Sequence, residues 1–103
     1  MAFDPAPSSL FASWSEDGTD ITVPIASIDD LTAADADGTT GDWREVVFRI
    51  VDHTYAYIQG LASADKPAKI TISRRRGESG GSIRRRYIID VLTDEDSVSV
   101  TAE

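Results

Sequence analysis

The longest regular pattern of apolar and polar positions lies between Asp42 and Leu61. Trp43, Val46, Val47, Ile50, Val51, Thr54, Tyr55 and Ile58 recur at spacings of three and four, which places them on one side of a helix. Arg44, Glu45, Arg49, Asp52, His53 and Gln59 fall mostly elsewhere on the wheel. Asp42 with Glu45 three positions on is an Asp-x-x-Glu start signal, and both charges suit the positive end of the helix dipole. Gly60 is a natural stop, and Pro67 forbids continuation. At about 1.5 Å per residue the helix is roughly 28 Å long, enough to cover one face of a sheet.

The flanking segments read in a shorter period. Ser9–Ser15 alternates Leu10, Ala12 and Trp14 on one side, which predicts a strand. Asp17-Gly18 is a hairpin signal, and Asp20–Ile25 returns as a second strand that Pro24 ends or confines to an edge. Leu31–Asp35 predicts a short helical turn capped by Thr32 and stopped at Gly38. Lys69–Arg76 and Ile83–Thr93 predict a long hairpin around a loop at Gly77–Gly81. Ile70 and Ile72 point inward on its first strand, and Ile83, Tyr87, Ile89 and Val91 share a face of its second. Asp94–Asp96 predicts an acidic turn, and Val98 and Val100 a last short strand. The order predicts an α+β fold: an antiparallel sheet, made of the N-terminal hairpin and the long C-terminal one, packed against one long amphipathic helix and a short helical turn. With 103 residues the expectation is one domain, with residues 1–8 as a flexible arm and residues 74–86 as a projecting basic hairpin.

Charge changes this picture more than composition does. The net charge is −8. Residues 66–92 hold eight of the ten basic groups and two acids, whereas the rest of the chain holds two basic groups and sixteen acids. Such polarity speaks to partners rather than to fold. There is no cysteine, so disulfides and thiolate metal sites do not contribute. No apolar run approaches a membrane span, and Met1–Phe11 lacks the features of a signal peptide. These readings predict a protein with no membrane partner, made in a reducing cytoplasm.

Several segments carry the outline of chemistry. Asp35-Ala36-Asp37-Gly38-Thr39 matches DxDGT, the nucleophile motif of haloacid-dehalogenase phosphatases. That motif needs a buried parallel strand before it, and Leu31–Ala34 reads as a capped turn instead. Read as a calcium loop from Asp35, the sixth position is Thr40 where Gly is required, and the twelfth is Val46 where Glu belongs. Asp35, Asp37 and Asp42 read as caps and turn residues, with a low-affinity cation site between them as the lesser alternative. His53 is the only histidine, which rules out a multi-histidine metal site; beside Asp52 on the helix it reads as a surface or boundary residue. No serine sits in a G-x-S-x-G elbow, and Gly80-Gly81 lacks the lysine and helix start of a phosphate loop. The expectation is no enzyme, no cofactor and no metal.

The informative constellation is Arg74-Arg75-Arg76 facing Arg84-Arg85-Arg86 across the long hairpin. Like charges opposite one another are unfavourable. Three readings compete: a solvated hairpin arm, a projection toward carboxylates on another protein surface, including the acidic body of an identical neighbour, or one that tracks nucleic-acid phosphates. Only Tyr87 supplies an adjoining aromatic, and the acidic remainder repels a polyanion. Protein is the favoured partner and nucleic acid the alternative. Phe3 and Leu10, in the N-terminal arm, are the other expected contact residues.

Across much of the chain, the run Ile21-Thr22-Val23-Pro24-Ile25, Leu31-Thr32-Ala33-Ala34-Asp35-Ala36-Asp37, Thr39–Arg44 and then Lys66–Arg74 resembles small proteins of phage and prophage structural regions. The resemblance implies a virion component in many copies, assembled in the host cytoplasm. It would be a capsid decoration (cement) protein or a head–tail or tail accessory subunit, binding itself or other virion proteins. It brings no catalytic residues.

Overall fold

The structure is a computed structural model and describes residues 6–93. Phe3, the acidic turn at Asp94–Asp96 and the strand expected at Val98 and Val100 lie outside the described residues. The fold is α+β, with one long helix, short helices and two antiparallel two-stranded sheets, each hairpin forming its own sheet. Among the described residues no helix is long and apolar enough to cross a membrane. The chain divides into two compact units at Tyr57 and Ile58.

In the first unit, α1 (Pro7–Leu10) replaces the strand expected at Ser9–Ser15. Pro7 at the start of α1 fixes φ for a helical turn, and Ser13, with φ 63°, breaks the alternation before a strand can form. Extended pairing is left to β1 (Ser15–Glu16) and β2 (Ile21–Thr22), joined through the Asp17-Gly18 turn as the sequence predicts. The second strand is shorter than expected because Pro24 has no N–H to give, and a 3₁₀ turn at Ile25–Ser27 follows at once. Thr32 caps α2 (Ala33–Ala36), its Oγ1 accepting from Asp35 N at 3.2 Å. The long helix α3 (Trp43–Gln59) starts at Asp42, whose carbonyl takes the first helical N–H and whose carboxylate accepts from Arg44 N at 3.0 Å. The reciprocal half of the expected cap is not made, because Glu45 turns along the helix to Arg49 Nε at 2.7 Å.

The buried residues of this unit are Phe11 and Ile28. Phe11 stacks on the His53 ring at a centroid distance of 4.6 Å and on Trp14 at 6.2 Å. The α3 stripe departs from its expected role here. Trp43, Val47 and Ile50 are 75%, 51% and 37% exposed, while the His53 and Arg49 side chains are only 12% and 27% exposed. Over its first turns α3 thus lays a polar face inward and leaves apolar side chains to solvent.

In the second unit, the end of α3 carries buried Ile58, and a 3₁₀ turn at Ser63–Asp65 leads through buried Pro67 into β3 (Ile70–Ser79). Its partner is β4 (Ser82–Val91). The expected five-residue loop is shorter in the structure. Pairing runs on to Ser79 opposite Ser82, and the reversal is made by Gly80 and Gly81 alone, with φ 54° and 87°. A two-residue turn with positive φ at both positions matches the twist of the strands it joins. Ile72 is buried at 5% exposure, and Gln59 Nε2 approaches its carbonyl at 3.5 Å.

Candidate functional site: an arginine ribbon

A strand sends successive side chains to opposite faces, and directly paired residues in an antiparallel ladder share a face. The register therefore decides where the arginines go. Arg75 pairs with Arg86, Arg76 with Arg85, Arg74 with Tyr87, and Arg84 with Gly77. One face thus carries Arg74, Arg76 and Arg85, and the other carries Arg75, Arg84 and Arg86. The predicted confrontation of two triplets is present as two direct arginine pairs. The predicted grouping on the second strand also follows, since Ile83, Tyr87, Ile89 and Val91 fall on the first face with Ile70 and Ile72.

Every residue from Arg74 to Arg86 is exposed. Ten residues per strand, at about 3.3 Å each, make a ribbon roughly 33 Å long, anchored at Ile72 and bare toward the turn. Among the described residues, Arg75, Arg76, Arg84, Arg85 and Arg86 form no ion pair. Gly77 has no side chain to stand opposite Arg84, and this leaves a shallow notch on the face that carries Arg75, Arg84 and Arg86. The notch suits an oxyanion, since guanidinium forks on its rim can each give two parallel hydrogen bonds to a carboxylate or phosphate.

The other sequence-predicted candidates go elsewhere. Leu10 is half-buried at the end of α1, and its carbonyl accepts from His53 Nε2 at 2.7 Å. Asp35 lies inside α2, where the phosphatase motif requires a strand end, and its Oδ2 accepts from Thr32 Oγ1 at 3.0 Å. Asp37 accepts from the N–H groups of Thr39 and Thr40 at 2.8 and 2.9 Å. The amides of Thr40 and Thr39, in that order, hold its carboxyl below the usual carboxylate value. Asp42 is held down chiefly by the Arg44 guanidinium, 3.1 Å away. Caps and turns are what these carboxylates do.

Sequence reasoning missed two features. His53 is a junction within the first unit. Leu10 O takes its Nε2–H, while Nδ1 lies 3.3 Å from Asp29 N and 3.1 Å from Asp29 Oδ2. Nδ1 thus faces both a donor, the Asp29 amide, and an acceptor, the Asp29 carboxylate. These partners are 43 and 24 residues away, beyond any local pattern. The second feature is the outward turn of Trp43, which the helical periodicity assigned to the core.

No protein-family model, no curated protein and no solved structure matches the chain.

Proposed function

We propose that this chain is a non-enzymatic structural subunit of a phage virion, which associates with copies of itself or with a repeating protein lattice. That lattice would be a capsid, with the chain as cement or decoration, or a head–tail or tail ring, assembled in the host cytoplasm. The observation that carries the reading is the exposed ribbon with three arginines on each face. A like-charged ribbon is unfavourable alone and is relieved when carboxylates reach its forks. Residues 5–57 hold ten acids against two arginines, so the chain itself bears the complementary surface. The virion setting rests on the sequence resemblance.

One observation favours a second reading, a nucleic-acid-binding accessory role. A two-stranded ribbon fits the major groove of duplex DNA, and arginines on both of its faces would meet both phosphate walls. The net charge of −8 opposes this.

Light scattering at low and high salt, with and without duplex DNA, tests the two. Assembly predicts a multimer at low salt that dissociates as salt rises and persists when DNA is added. A monomer that instead binds DNA, with a log–log salt slope of about −0.9 per phosphate contacted, would replace the assembly reading by the second.

A further inference from the structure

An amphipathic helix ordinarily turns its apolar stripe toward the core. α3 breaks that rule at its start, where Trp43, Val47 and Ile50 stand at 75%, 51% and 37% exposure. Spacings of four and three put them on one side of the helix. Asp35 and Asp37 line the same depression as Trp43, Val46 and Val47. The loop that holds these acids is tightly tied. Gly41 N donates to Asp37 O and Asp42 N to Asp35 O, both at 3.0 Å, and a Cβ on Gly41 would collide with those two carbonyls. Only glycine permits so close an approach. The result is an apolar floor with fixed carboxylates at its edge, and the amides of Thr40 and Thr39 favour the charged form of Asp37.

We infer that this seat takes the arginine ribbon of a second copy of the chain. The inference rests on the assembly reading above and supplies its two surfaces. Charge complementarity identifies the occupant. Residues 5–57 hold ten acids against two arginines, while residues 58–93 hold eight basic groups against three acids. Both halves of the match occur in every molecule. The notch at Gly77 admits a carboxylate between guanidinium forks, which is the group the seat offers at its rim. The exposed indole of Trp43 offers a face on which an arginine stacks. Seat and ribbon are different surfaces, so the contact either is made twice in a closed two-fold pair or runs head-to-tail into a ring or a filament.

Sedimentation velocity of the full chain at low ionic strength tests this with three variants. Trp43→Ser and Val47→Lys each disable the seat at an exposed position. The triple variant Arg75→Glu, Arg84→Glu and Arg86→Glu disables the ribbon. Helical circular dichroism and the unfolding midpoint check that each folds, and Val47→Lys carries the test if Trp43→Ser does not. The wild type is expected to form multimers, and each variant to associate at least about tenfold more weakly. An equimolar mixture of Val47→Lys with the triple variant is expected to give a one-to-one species and no longer chain, since one copy supplies an intact ribbon and the other an intact seat.

If both seat variants assemble like the wild type while the triple variant does not, the seat is overturned and assembly through the ribbon stands. A mixture that stays monomeric also overturns it. A wild type that is monomeric and captures duplex DNA overturns the seat and the assembly reading together.

Discussion

In residues 6–57 nearly every bend is tied by a side chain, whereas residues 70–91 are joined by a continuous backbone ladder of ten paired positions. Glu16, Asp17, Thr32, Asp37 and Asp42 each accept from a nearby main-chain N–H, and His53 bridges Leu10 and Asp29. On β3 and β4, by contrast, only Ile72 is buried, and two arginine pairs oppose each other directly. An isolated hairpin is marginal in water. The ribbon therefore tolerates charges that its own stability disfavours, which is what an element shaped by its partner would show. The acidic unit places its charges where they close turns. Proximity of charge to backbone amides stabilises locally, and proximity of like charges costs stability locally.

The contrast can be tested by removing what each region relies on. The largest effect is expected from Phe11→Ala, which deletes a buried ring stacked on His53 and Trp14 and should cost about 4 kcal/mol in chemical denaturation. Ile72→Ala should cost about 3 kcal/mol and act on the ribbon, read as lost amide-exchange protection along β3 and β4. A loss under about 1 kcal/mol would show that the ribbon is not anchored at Ile72. Thr32→Ala removes the α2 cap and should lower stability by about 1 kcal/mol, a loss that Thr32→Ser largely restores.

Arg85→Thr carries the opposite sign. It relieves one direct arginine pair and adds a β-branched residue, so the free ribbon should gain about 0.5 kcal/mol while association weakens. If stability falls instead, the paired arginines are not a local cost and the contrast fails. The shallowest response is to acid. The Asp17 carboxyl is held down first by the Asp20 amide and then by that of Thr19, the Asp37 carboxyl by Thr40 and Thr39, and the Asp42 carboxyl by Arg44. A carboxyl whose folded value lies below its unfolded one adds stability that is complete above the unfolded value and lost as pH falls through the folded value. The unfolding midpoint should therefore stay flat from neutrality to about pH 4 and decline below it. An onset near pH 6 would point to other groups.

Local rules carried far in this sequence where a residue acts on its near neighbours. The Thr32 cap, the Asp17-Gly18 turn, the start at Asp42 and the two long strands are each determined within a few positions. They failed where the deciding partner is remote or the pattern is short. Three alternating residues, Leu10, Ala12 and Trp14, were too few to outweigh Pro7 and the left-handed Ser13. The helix at Trp43–Gln59 was legible from its period, but its orientation was not. Periodicity identifies an apolar side without saying whether the chain or a partner covers it. The arginines of the candidate site were legible as a group. Their division between faces needed the register, which a five-residue loop would have left open and the Gly80-Gly81 turn determines.

That even division has a further consequence for folding. A slip of one residue between β3 and β4, in either direction, would gather four arginines on one face and leave two on the other. The slip that sets Arg76 opposite Arg84 would also line up three direct arginine pairs in place of two, so misalignment in that direction is disfavoured before any partner is present. The same charges that weaken the ribbon thus guard its alignment against that slip, along a stretch where Ile72 alone is buried.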